Sequence, residues 1–169
     1  MIRALPRRSL LLGTTSCVPL SLGACASLGP RVDAAIAGIV EYGQAIYAGL
    51  KSMWAQLQAL PQVQALSAET RATITSSGQA VGELLAALAG VQSVAAAQPI
   101  VAKLVTYAQA ALGALGGIPG LPVAVTGLIS AAQIVLPVLQ SLVGLAVATV
   151  AQVQAATQAK AALLAAPAG

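Results

Sequence analysis

Residues 31–60, RVDAAIAGIVEYGQAIYAGLKSMWAQLQAL, decide how the chain is read. Their apolar positions Val32, Ile36, Ile39, Ile46, Leu50, Met53, Leu57 and Leu60 alternate at spacings of four and three, with Gly43 filling the one gap. At 3.6 residues per turn, that alternation lays the apolar side chains in a single stripe, a heptad seam that calls for a partner helix along its length. Val40, Tyr47 and Trp54, seven apart, form a second stripe beside the seam and widen the buried face, while Asp33, Glu41 and Lys51 fall off it. Pro30 suits the start of this helix and Pro61 its end, giving a rod of about 45 Å.

The same pattern continues toward the C-terminus. Ser67 is placed to cap a second helix and Glu69 to complement its dipole in the first turn. Ile74, Ser77, Val81, Leu84, Leu88 and Val91 again alternate by threes and fours, and Gly78, Gly82, Ala86 and Gly90 run four apart on the adjoining face. A glycine inside a helix costs about 1 kcal/mol against alanine. Either a very close helix–helix contact repays that cost, or the face simply tolerates glycine. Gln98-Pro99 is expected to end this helix or restart it, with a shorter helix following to about Leu115. Gly116-Gly117-Ile118-Pro119-Gly120 is the strongest turn signal in the chain. A last helix from Pro122 is expected to reach about Ala165, kinked or divided at Pro137.

Residues 106–159 carry no charge, and Ile134 to Val153 is about the length of a bilayer span. Thr126, Ser130, Gln133, Gln140 and Ser141 nevertheless form a polar stripe, with Val125, Leu128, Val135, Leu139, Leu142, Ala146 and Val153 along the other side. That is an amphipathic helix whose polar face is uncharged. A bundle helix and a membrane-inserted one both fit it. The fold expected is all-α: an antiparallel bundle of four or five helices with heptad seams over 31–166, its core alanine, leucine and valine.

The first 30 residues read differently. Arg3, Arg7 and Arg8 precede an uncharged, leucine-rich stretch from Ser9 to Leu22 that is too short for a settled span. It closes on Leu22-Gly23-Ala24-Cys25, which resembles a bacterial lipobox. The resemblance implies a diacylglyceryl group on the Cys25 sulfur, cleavage just before Cys25 and acylation of the new amino group. It makes 1–24 a signal peptide and 25–30 a lipidated tether. Cys17, preceded by Thr14-Thr15-Ser16, is the poorer match. Arg7-Arg8-Ser9-Leu10-Leu11 also resembles a twin-arginine export motif, departing from it at Pro6 and Leu12; a general secretory leader with paired arginines is the alternative. Ala26, where an aspartate would by analogy signal retention at the inner membrane, points to the outer membrane facing the periplasm.

Composition narrows the chemistry. Of 169 residues, 58% are hydrophobic and 7% charged, with no histidine. Histidine acid–base catalysis is thereby excluded, and a mature chain with one lipid-bearing cysteine leaves no thiolate for zinc or iron–sulfur clusters. The net charge of +4 sits mostly in the leader; beyond Cys25 five basic residues face four acidic ones, which is no nucleic-acid surface. Asp33 and Glu41 stand eight residues apart, about 12 Å along one helix, too far to act as paired carboxylates. Tyr47 and Lys51 have the Tyr-x-x-x-Lys spacing of short-chain dehydrogenases, but no βαβ unit or nucleotide loop accompanies them. Gly116, Gly117 and Gly120 lack the lysine of a phosphate loop, and Thr157-x-x-Lys160 only echoes a serine–lysine pair. No catalytic, cofactor, metal or small-molecule site is expected. The sequence predicts a membrane-anchored envelope lipoprotein with a non-catalytic helical module that binds another envelope protein or itself. The alternative is a membrane-active or lipid-binding protein whose segment 121–153 enters the bilayer.

Overall fold

The computed structural model describes residues 29–58 and 60–166. Five long helices and one short turn make up the architecture: α1 (Gly29–Gln58), α2 (Pro61–Gln64), α3 (Ala68–Leu88), α4 (Val94–Gly116), α5 (Val123–Leu142) and α6 (Val150–Leu164). The described residues form no strand.

The seam predicted in α1 is buried from Ile39 to Leu57, with Ile36 and Leu60 half-buried at its ends, and its partners lie within the same chain. Ile39, Ile46, Leu50, Met53 and Leu57 are in the core, and Val40, Tyr47 and Trp54 are half-buried beside them. Each fully buried side chain of this size is worth about 1.5–3 kcal/mol. Tyr42, Ala45, Gly49 and Ser52 are buried on a further face, because α1 packs against every other long helix. α3, α4, α5 and α6 follow one another around α1, each on the next, and the arc stays open because α3 and α6 do not meet. What remains exposed on α1 is one outer strip with Glu41, Gln44, Lys51 and Gln58.

Contacts along α1 fix the direction of each helix. Tyr47 lies on Gly82, and Trp54 shares a cleft with Ile74, so α3 runs antiparallel to α1. Glu41 meets Lys160 and Gly49 meets Leu163, so α6 runs parallel. Leu142, at the end of α5, reaches Gly38 near the start of α1. Consecutive long helices alternate in direction, which short connections favour. The core is leucine, isoleucine and valine interleaved with Ala45, Ala97, Ala108, Ala111, Ala132 and Ala156, small residues that let the rods approach closely.

Ser67 caps α3 as expected, its hydroxyl accepting the Thr70 N–H at 3.1 Å, with Glu69 in the first turn. Two expectations need correction, and one open choice is decided. First, α3 stops at Leu88, ten residues before Gln98, and α4 begins at Val94 with the Ser93 hydroxyl accepting the Ala96 N–H at 3.2 Å. Pro99 therefore lies inside α4. The carbonyl of Ala95, which proline cannot satisfy, belongs to an exposed residue on an exposed face, where water can reach it.

Second, Pro137 does not divide the last helix. It lies within α5, and the chain breaks at 143–149 instead. Gly144 takes φ +74°, with the Leu145 N–H donating to the Gln140 carbonyl at 3.0 Å and the Gly144 N–H to Ser141 at 3.1 Å. That bond pair is a Schellman termination, and it needs the left-handed residue that glycine supplies. Thr149 then opens α6 with a capping box: its hydroxyl accepts the Gln152 N–H at 3.2 Å, and its own N–H donates to the Gln152 side chain at 2.8 Å. Ile134 to Val153 is thus divided between two helices by an elbow at 143–149 and is not one span-length helix.

Third, the two readings open for the row Gly78, Gly82, Ala86 and Gly90 divide along it: one glycine meets a neighbouring helix closely and the others do not. Gly82 receives the Tyr47 ring, Gly78 has no neighbour against its face, and Gly90 lies beyond the end of α3. The close approaches belong to α1, where Gly43 faces Leu85 and Gly49 faces Leu163.

Candidate functional site

The residues assigned to export and lipidation, Arg7, Arg8, Leu22, Gly23, Ala24 and Cys25, lie outside the described residues. In the sequence, α1 begins at Gly29, four residues after Cys25. The end of the bundle that carries the start of α1 is its N-terminal end.

Two other connections converge on that end. Val91 and Gln92, between α3 and α4, border a shallow groove with Ile36 and Ala37. The α5–α6 elbow follows Leu142, which touches Gly38. Thr157 of α6 lies beside Tyr42, and Val150, seven residues earlier in a helix parallel to α1, is about 10 Å closer to the N-terminal end. The elbow leaves apolar side chains in the open: Val147 is 96% exposed, Val150 76% and Leu145 43%. Val153, expected on the buried side, is exposed as well. The break at 143–149 resets the helical phase, so positions read as one continuous face are divided between two helices.

Elsewhere polar groups are engaged in holding helices together. Lys160 Nζ donates to Glu41 Oε1 at 2.6 Å and lies 5.0 Å from the centre of the Tyr42 ring. The Thr157 hydroxyl donates to the Val153 carbonyl at 2.9 Å, leaving its oxygen to accept from the Tyr42 hydroxyl at 3.4 Å. In the Thr157-x-x-Lys160 pair the hydroxyl proton is thus directed to the backbone and the ammonium to a carboxylate. The arrangement clasps α6 to α1 and does not activate an oxygen. Tyr47 and Lys51 likewise belong to packing: the Tyr47 ring lies on Gly82, and Lys51 Nζ is 5.8 Å from its centre.

Beside them is an apolar cleft of about 190 Å³ between α1, α3 and α4, lined by Tyr47, Leu50, Lys51, Trp54, Ile74 and Gly78 among others. It opens because Gly78 presents no side chain toward its neighbours. Its α1 residues, Tyr47 to Trp54, lie about 27–37 Å along the helix from Gly29, away from the N-terminal end. Among the described residues no three histidine, cysteine, aspartate or glutamate side chains come together to hold a metal ion. A comparison with known proteins finds no matching family model, no matching curated protein and no matching solved structure.

Sequence reasoning missed the exposed elbow, although its two signals were present: Gly144 as a helix stop and Thr149-x-x-Gln152 as a capping box.

Proposed function

We propose that the chain is an envelope lipoprotein: a helical module without catalytic chemistry, held at the outer membrane on its periplasmic side by lipid on Cys25. The observation that carries this reading is Leu22-Gly23-Ala24-Cys25 at the end of an uncharged, leucine-rich stretch behind Arg3, Arg7 and Arg8. The fold is compatible with it, since the bundle starts just after the cysteine and its apolar seams are met from within. Twin-arginine export through Arg7-Arg8 is part of the same proposal. An envelope partner or a second copy would have to use the outer surface, because the seams that suggested one are already filled by α3, α4, α5 and α6.

One observation bears on the membrane-inserted alternative. α5 is the single helix among the described residues that is long and apolar enough to cross a membrane. Its apolar side chains Val125, Leu128, Val135, Leu136 and Leu139 are packed inside the bundle, and Thr126, Ser130 and Gln133 face out. That favours the tethered bundle. Cell fractionation tests the reading: the native protein is expected in the membrane fraction, and Cys25→Ala is expected to leave it. A Cys25→Ala chain that remains bound as firmly as the parent would count against a lipid tether.

A further inference from the structure

We propose that the N-terminal end of the bundle, centred on the α5–α6 elbow with Leu145, Val147 and Val150, is a lipid-facing surface that seats in the interface of the bilayer. The inference rests on the tethered reading above and adds a second contact to it. Among the described residues, the elbow and the first turn of α6 hold the longest run of exposed large apolar side chains. Of the eight large apolar side chains that stand exposed among the described residues, four, Leu145, Val147, Val150 and Val153, lie within nine positions of one another. No charged residue occurs from Thr106 through Ala159, so no charge on the elbow resists transfer toward the interface.

Placement selects the occupant. Four residues span at most about 14 Å when fully extended, so a lipid on Cys25 would hold the start of α1 at the membrane surface. Leu142 on Gly38 and Thr157 beside Tyr42 place the elbow at that same end. The α3–α4 connection beside Ile36 is also uncharged, from Ala89 to Ser93. Arg31 and Asp33, in the first turns of α1, are the only charged residues in the segments that form this end. The described charges that pair or border clefts, Glu41, Lys51, Glu69 and Lys160, lie farther along the bundle. A bilayer interface accepts valine and leucine side chains of this kind while remaining wet enough for the backbone groups of a turn. The lipid would then act as a tether and the elbow as a foot, which fixes which end of the bundle points away from the membrane.

The chain supplies a matched control. Val123 is 89% exposed at the opposite end of α5, about 30 Å from the elbow, and Trp54 lies near the far end of α1. Val147→Trp and Val123→Trp would each be purified from membranes as the full processed protein and reconstituted into phosphatidylethanolamine–phosphatidylglycerol vesicles, with and without brominated acyl chains. The tryptophan at 147 is expected to shift to the blue and lose at least half of its added emission to bromine. The one at 123, like Trp54, is expected to keep its emission. Intact mass of the same samples reports the lipid on Cys25. A lipidated protein in which positions 147 and 123 are quenched equally, or neither is quenched, overturns the seated elbow and leaves the lipoprotein reading standing. A chain without lipid overturns both.

Discussion

Two glycine-to-alanine substitutions are expected to move stability in opposite directions. Gly78 and Gly49 both lie inside helices, and at both the helix itself gains from alanine by about 0.5–1 kcal/mol, mostly through the unfolded chain's lost freedom. At Gly78 a new Cβ meets nothing within 4 Å, so the gain is kept. At Gly49 the Cβ would lie 2.5 Å from Cδ2 of Leu163, and 3.5 Å from its Cβ and Cγ. Leu163 is wholly buried, so it cannot swing into solvent and its neighbours must move with it. Overpacking of this kind costs about 1–3 kcal/mol, which exceeds the propensity gain and leaves Gly49→Ala destabilised by up to about 2 kcal/mol. For a bundle of this size, 1 kcal/mol is about 3 °C in Tm. Thermal unfolding of leaderless Cys25→Ser protein, followed by circular dichroism, should place Gly78→Ala about 2–3 °C above the parent and Gly49→Ala several degrees below. If both variants rise together, the close packing of α6 on α1 is wrong.

Other consequences can be checked in the same way. Thr149→Ala removes one half of the capping box and should cost about 0.5–2 kcal/mol in urea titrations, whereas Ser130→Ala on the exposed face of α5 should change little. Met53→Ala, at a fully buried seam position, should cost about 2–5 kcal/mol, and a loss near zero would mean that the seam is not the core. Glu41→Gln should cost less than about 1 kcal/mol despite the 2.6 Å contact, because Glu41 is 58% exposed and water screens the pair. Replacing Arg7 and Arg8 together by lysine should stop export by a twin-arginine route, and normal appearance in the envelope would assign the leader to the general secretory pathway.

The parts of the fold that could be read from sequence are those where side chains of different character alternate. In α1, isoleucine, leucine and methionine recur against glutamate, lysine and glutamine, and the stripe they trace is the stripe that is buried. Ser67 followed by Glu69 gave α3 its start for the same reason. Boundaries failed where alanine dominates. Alanine is at once the best helix former and nearly indifferent to burial, so Ala95, Ala96 and Ala97 say little about where α4 begins, and Ser93 had to carry that signal alone. The prolines mislead in the other direction: Pro99 and Pro137 are break signals in the sequence, but each lies in a helix, with exposed Ala95 and Gln133 four residues before it. The elbow at 143–149 was hidden because its valines and alanines look the same whether they face a core or the outside. Only the fold shows which, and it leaves Val147 and Val150 exposed.

The claim on which the account depends is that this bundle works while fastened to a membrane by its first residues. Intact-mass measurement of the protein isolated from its native host tests it most directly. The expected result is a chain that begins at Cys25 and carries the mass of a diacylglyceryl group plus an amide-linked acyl chain. A chain with its leader attached, or one with a free thiol at Cys25, would contradict it.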